Sequence, residues 1–183
     1  LPMDHPHIEE LKKEYELLSA DGFRVLALAT KEAPPRDVVV AHATAYGKAD
    51  ECDLTLEGYV AQAAADAFPA WSRSGPLERH GVRVKVITGD NELVARKVCS
   101  QVGLVIDRVL LGDAVEKLTD AELAEAAEQT VLFARVSPAH KQRIIRALQS
   151  RNHTVGFMGD GINDAPALHT ADVGISVDTA VDI

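Results

Sequence analysis

Thr154-Val155-Gly156-Phe157-Met158-Gly159-Asp160-Gly161-Ile162-Asn163-Asp164-Ala165-Pro166 is an apolar run that breaks into a glycine-rich turn carrying two carboxylates, Asp160 and Asp164. The run reads as a buried strand. A strand ending this way delivers its carboxylates to the carboxyl edge of a sheet, where open α/β folds bind ligands. Gly159 and Gly161 let the backbone approach an anion closely, because no Cβ stands in the way. Hard oxygen donors on a short turn suit Mg²⁺, which keeps several waters and takes one or two carboxylates beside phosphate oxygens. Asn163 and Asp164 also fit a plainer role, as N-caps of a following helix.

Upstream of this turn, from residue 82, strand and helix patterns alternate. Residues 82–87 predict a strand, 91–102 a helix ended by Gly103, and 109–111 a short strand. Thr119 and Glu122 form a capping box that opens the next helix. A strand over 131–134 and a helix over 138–149, with Pro138 in a tolerated early position, precede the acidic turn; a strand over 173–177 follows it. Such alternation predicts a Rossmann-like α/β fold, a parallel sheet covered by helices. Nearer the amino end, 7–20 reads as an amphipathic helix, 23–29 as a buried strand, 31–52 as a linker and 54–60 as a second strand. Residues 61–81 show no clear period.

The chain has 183 residues and a formal net charge of −9, which argues against nonspecific nucleic-acid binding, since that needs a basic face. Apolar residues make up 46% and charged residues 26%, an ordinary balance for a water-exposed globular domain. Cys52 and Cys99 lack metal-ligand spacing and read by default as buried or free thiols in a reducing compartment, with a disulfide between them the unsupported alternative. No apolar run approaches a bilayer span, and no signal peptide is evident. Neither end resembles a natural terminus, which suggests a piece of a longer protein.

Two further strand ends carry chemistry. Thr88-Gly89-Asp90 follows the strand ending at residue 87, offering a hydroxyl, a close backbone and the free N–H groups of a helix start. A helix cap at Asp90 is the plainer alternative. Arg135 closes the strand at 131–134, and Lys141 falls in the first turn of the next helix, where the helix dipole disfavours a cation. An anion beside Lys141 would make sense of that placement; a solvated surface lysine is the alternative. Threonine, a fixed cation and an acidic Mg²⁺ turn at one sheet edge are what phosphoryl transfer requires. A nucleophile is missing: no Asp-Lys-Thr-Gly-type turn occurs here.

These residues together, Thr88-Gly89-Asp90, Phe133-Ala134-Arg135 with Pro138 and Lys141, and Met158 through Pro166, resemble the phosphorylation domain of P-type cation-transporting ATPases in the haloacid-dehalogenase superfamily. The wording from Phe157 to Asp178 is most similar to the magnesium-transporting branch. Gly22 through Ala29 resembles the last strand of the nucleotide-binding domain. The resemblance implies 1–52 as the end of that domain plus a linker, and 53–183 as an incomplete phosphorylation domain. It implies that Arg24 touches ATP phosphates, that Thr88, Gly89 and Asp90 hold the phosphoryl group and nucleotide, and that Arg135 lines the nucleotide path. Lys141 would neutralise the transferred phosphoryl, Asp160 and Asp164 would ligate Mg²⁺, and Asn163 would contact phosphate. The implied partners are ATP, Mg²⁺ and the rest of a membrane ATPase, with this portion on the cytoplasmic side.

Two departures qualify the resemblance. The family's nucleophilic Asp turn is absent, and so is the central strand that carries it. The family's Asp-Pro-Pro hinge would fall at residues 64–67, where this chain has Ala64-Ala65-Asp66-Ala67. A reading-frame slip that later corrects itself would give wrong residues at the right length, and resequencing tests it. Two other readings stand beside it: a soluble phosphatase of the superfamily, which needs an Asp-x-Asp strand turn ahead of residue 88 that does not occur here, and an inactive nucleotide-binding module, which shares the binding residues. A sheet without its central strand leaves two edges unpaired, so the isolated chain is expected to be marginally stable.

Overall fold

Leu132, Phe133 and Ala134 are wholly shielded from solvent and form the axis around which the rest is built. The computed structural model describes residues 5–31, 52–63, 77, 79–159 and 162–176. In chain order the described elements are α1 (His5–Ala20), β1 (Phe23–Thr30), β2 (Thr55–Ala63), β3 (Val86–Ile87), α2 (Glu92–Gln101) and β4 (Val109–Leu111). Then come α3 (Gly112–Lys117), α4 (Asp120–Gln129), β5 (Leu132–Ala134), α5 (Pro138–Gln149), β6 (Gly156–Gly159), a 3-10 turn (Ile162–Asp164), α6 (Ala165–Thr170) and β7 (Val173–Ser176).

A parallel sheet in the order β3-β5-β4 pairs Val86 and Ile87 with Leu132 and Phe133, and Val109 through Leu111 with Leu132 through Ala134. Side chains alternate across a strand. Leu132 and Ala134 therefore face α2, through Ala95 and Cys99, while Phe133 faces α4 and α5, through Leu123, Ala127, Ile144 and Leu148. Burial on both faces is why β5 is apolar without a break. This is the α/β arrangement, parallel strands with helices on both sides, that the alternation predicted.

β6 and β7 form a second parallel pair, from Gly156↔Val173 to Gly159↔Ser176. Among the described residues no ladder joins it to the first sheet, so β3 and β6 each have one strand neighbour. They are held side by side from below: Ile87 of β3 packs both on the α4–α5 core and on the cluster of Ile145, Phe157 and Ala167. Helix α5 thus underlies both sheets. Its Arg143 donates to the carbonyls of Val115 (2.6 Å) and Leu118 and to Asp120 Oδ1 (2.9 Å), closing the α3–α4 junction.

Several expectations change. Only Val86 and Ile87 of the expected strand 82–87 form a ladder, because β5 reaches no further along it. Lys85 turns instead to the end of α4, donating to the carbonyls of Ala127 (2.7 Å), Glu128 (3.0 Å) and Thr130 (2.6 Å), groups a helix end leaves without partners. β1 is a strand but not a buried one: α1 lies along it, yet Leu26 is 70% exposed. β1 pairs antiparallel with β2, so the boundary expected at 52/53 falls between two strands of one sheet. Helix α3 was not foreseen. The expected linker, apart from Lys31 and Cys52, most of the segment 61–81 and the chain end from 177 lie outside the described residues.

The α4 end also carries an acid-sensitive contact. Glu128 accepts from His153 Nε2 (2.8 Å) and Arg151 (3.0 Å), tying α4 to the entry of β6. Those two bonds, His153 first, hold its carboxyl at about 2 against an ordinary 4.5. A carboxylate with a depressed folded-state pKa stabilises above the unfolded value, and that contribution is lost as pH falls through the folded one. Glu128→Gln is therefore expected to flatten the loss of stability between pH 4.5 and about 2, read from urea unfolding at each pH.

Candidate functional site

Lys141 and Asp164, 23 residues apart, meet as an ion pair between Nζ and Oδ1. Their side chains are 15% and 13% exposed, so little water screens them. The geometry behind the lysine begins at Ser137. Its hydroxyl accepts from the His140 amide (3.2 Å), and His140 Nδ1 accepts from the Ser137 amide (3.2 Å), a capping box with histidine in the usual glutamate place. The His140 proton therefore sits on Nε2, which donates to Glu116 at 2.7 Å. One residue on, Lys141 projects from the first helical turn, and Asp164 is the anion that offsets the unfavourable dipole there.

Asp164 holds the N-cap position of α6 but makes no side-chain cap bond. Its carboxylate goes to Lys141, which overturns the plainer reading of that residue as a helix cap. A Cβ on Gly159 would stand 2.7 Å from Asp164 Cβ and 2.8 Å from its Oδ2, so this approach requires glycine. Gln142 of α5 donates to Pro166 O (3.0 Å) and Thr170 Oγ1 (3.2 Å), and Gln149 to Thr170 O (3.0 Å). These bonds tie the helix bearing the lysine to the helix following the acid.

Thr88, Gly89 and Asp90 leave the end of β3 as expected and are laced to the end of β5. The Thr88 amide donates to Phe133 O (2.9 Å), the Arg135 amide to Asp90 O (2.8 Å) and the Val136 amide to Thr88 O (3.2 Å). Thr88 Oγ1 accepts from the Asp90 amide (3.1 Å), which leaves the hydroxyl proton free to point outward. Arg135, exposed, sits in the left-handed region at φ 55°, which non-glycine residues rarely occupy. Asn91, not Asp90, caps α2, accepting from the Val94 amide at 2.9 Å.

Arg24 of β1 reaches Asp90 Oδ2 at 2.8 Å, and Asn91 Nδ2 donates to Tyr15 Oη (3.0 Å) and Ser19 Oγ (3.2 Å). The β1–β2 sheet and α1 are thereby joined to the Thr88 loop. The structure thus gathers two groups, Lys141 with Asp164, and Thr88, Gly89, Asp90, Arg135 with Arg24. Val136 and Ser137 run from the second group directly into the helix of the first. Asn163 is exposed on the 3-10 turn, and Asp160 and Gly161 lie outside the described residues. Gln142 and the His140–Glu116 pair were not foreseen. Asn91 was legible, as an asparagine three residues before Val94.

Residues 5–172 match the family model described as haloacid dehalogenase-like hydrolase, and the chain belongs to that family. Along its full length it is 48% identical to "Magnesium-transporting ATPase, P-type 1" of Escherichia coli strain K12 and 47% identical to the protein of that name in Salmonella typhimurium strain LT2. Over 96% of its residues it is 34% identical to "Calcium-transporting ATPase 1" of Lactococcus lactis. These similarities bear out the resemblance to P-type ATPases of the magnesium-transporting branch. The chain spans 20% of the length of each of these relatives. None of the described helices is long and apolar enough to cross a membrane.

Proposed function

We propose that this chain is the phosphoryl-handling part, on the cytoplasmic side, of a P-type ATPase that couples ATP hydrolysis, through an aspartyl-phosphate, to Mg²⁺ movement across a membrane. The observation that carries this reading is the shielded Lys141–Asp164 pair, its lysine on the helix that follows directly from the β5 end to which the Thr88 loop is laced. Lys141 neutralises the transferred phosphoryl group, and the Thr88 hydroxyl donates to one of its oxygens. Arg24, Gly89, Asp90 and Arg135 hold the nucleotide, and Asn163 contacts phosphate. The nucleophilic aspartate comes from a segment outside these residues, as do the membrane helices.

Asp164 and Asp160 offer carboxylate oxygens only, a donor set that fits Mg²⁺ rather than a softer metal. Asp164 keeps Oδ2 clear of the lysine, whose bond is to Oδ1. When bound, the ion would screen charge on the phosphoryl oxygens. We place the division between the nucleotide-binding remnant and the phosphorylation domain after β2, since β1 and β2 share a sheet.

The test is acid-quenched phosphorylation of the intact ATPase from radiolabelled ATP. An acid-stable, hydroxylamine-labile phosphoprotein is expected. Its absence, with nucleotide binding intact, favours an inactive nucleotide-binding module. Phosphate release from small phosphomonoesters by the 183-residue chain alone favours a soluble phosphatase.

A further inference from the structure

Gly112, the first residue of α3, faces the carbonyl side of the Arg135–Val136 peptide, whose amide is bonded to the Thr88 loop. A Cβ there would lie 2.1 Å from the Arg135 carbonyl oxygen and 3.1 Å from its carbon. Backbone cannot swing aside as a flexible side chain does. That carbonyl belongs to the same peptide plane as the Val136 amide, which donates to Thr88 O at 3.2 Å. The preceding amide, of Arg135, donates to Asp90 O at 2.8 Å. Arg135 itself is at φ 55°, a conformation that persists only where its surroundings impose it.

We propose that Gly112 is a positioning residue for nucleotide binding: its missing side chain admits the Arg135 carbonyl, and this holds the 135–136 peptide in the orientation that pins Thr88 and keeps the adjoining Arg135 amide on Asp90. The inference rests on the proposed reading of the Thr88 loop as the nucleotide contact. A methyl group at 112 drives the carbonyl back, turns the Val136 amide off Thr88, and loosens the grip of Arg135 on Asp90. Asp90 then no longer meets Arg24. The same Cβ would stand 3.2 Å from His140 Nδ1, a tight contact that a shift of a few tenths of an ångström relieves, while Gln142 and Gln149 tie the helix bearing Lys141 to α6 independently.

Gly112→Ala in the intact ATPase is therefore expected to raise the KM for ATP about tenfold or more, with the Mg²⁺ concentration for half-activation unchanged. Asp113→Ala, on the same turn but exposed, serves as the reference and leaves both unchanged. An unchanged KM overturns the proposal, and so does a parallel weakening of ATP and Mg²⁺ dependence, which marks general loosening. Should Gly112→Ala fail to accumulate, amide hydrogen exchange on the unaltered protein answers the same question. A non-hydrolysable ATP analogue is expected to slow exchange at Arg135 and Val136 at least tenfold, and unchanged exchange overturns the proposal. If the unaltered ATPase neither binds nor hydrolyses ATP, the functional reading fails before Gly112 comes into question.

Discussion

Lys141→Met in the intact ATPase is expected to cut phosphoenzyme formation at least about 100-fold and to lower stability by about 3–5 kcal/mol. The two effects have one origin. With the lysine gone, Asp164 is left as an uncompensated carboxylate at a position only 13% exposed. Breaking such a pair costs far more than an exposed bridge, which is worth about 0–1 kcal/mol. The fixed cation is also what the proposed chemistry places against the developing phosphoryl charge. Adding Asp164→Leu should restore much of the stability and none of the activity, because it removes the stranded charge. Urea unfolding of both variants and acid-quenched phosphorylation make the comparison. A loss below about 1 kcal/mol for Lys141→Met would mean the pair behaves as a solvated one.

Gly159→Ala attacks the same pair from the other side and leaves both charges in place. The new methyl would stand 2.7 Å from Asp164 Cβ and 2.8 Å from Oδ2, so the carboxylate must retreat. A displacement of about 1 Å at a reacting centre costs roughly 100-fold in rate. Phosphoenzyme formation should fall by about that factor, and half-activation by Mg²⁺ should need about tenfold more metal. ATP affinity should hold, because Thr88 and Asp90 are pinned to Phe133, Arg135 and Val136 rather than to the acidic turn. Magnesium titrations of the variant decide it: an unchanged metal requirement sinks the idea. The contrast with Gly112→Ala, where nucleotide suffers and metal does not, separates the two halves of the site.

Much of this was legible because it is local. The Thr119–Glu122 capping box, Pro138 at the start of α5 and the unbroken apolar run of β5 each announce themselves within a few residues. What escaped depends on partners far along the chain. Residues 82–85 carry a strand pattern, yet no neighbour among the described residues completes a ladder for them, and Lys85 goes to a helix end instead. The apolar residues of β1 predicted burial, whereas a strand is only as buried as the elements laid against its faces. Helix α3, six residues long, is too short to show a period. At Asp164 the local sequence left open whether the carboxylate caps the following helix; its bond goes instead to Lys141, 23 residues away. The Arg24–Asp90 contact spans 66 residues, and no local pattern announces it.

The first two turns of α5 have a property that no single bond in them reveals. His140, Lys141, Gln142 and Arg143 are consecutive, and they engage Glu116, Asp164, Pro166 with Thr170, and the carbonyls of Val115 and Leu118, respectively. Each helical residue advances the direction by about 100°. One residue added or deleted just after Ser137 would swing all four side chains away from their targets together. Substitutions here act one at a time and in degrees. A change in residue count acts on everything at once, so this fan of contacts is governed by spacing more strictly than by spelling.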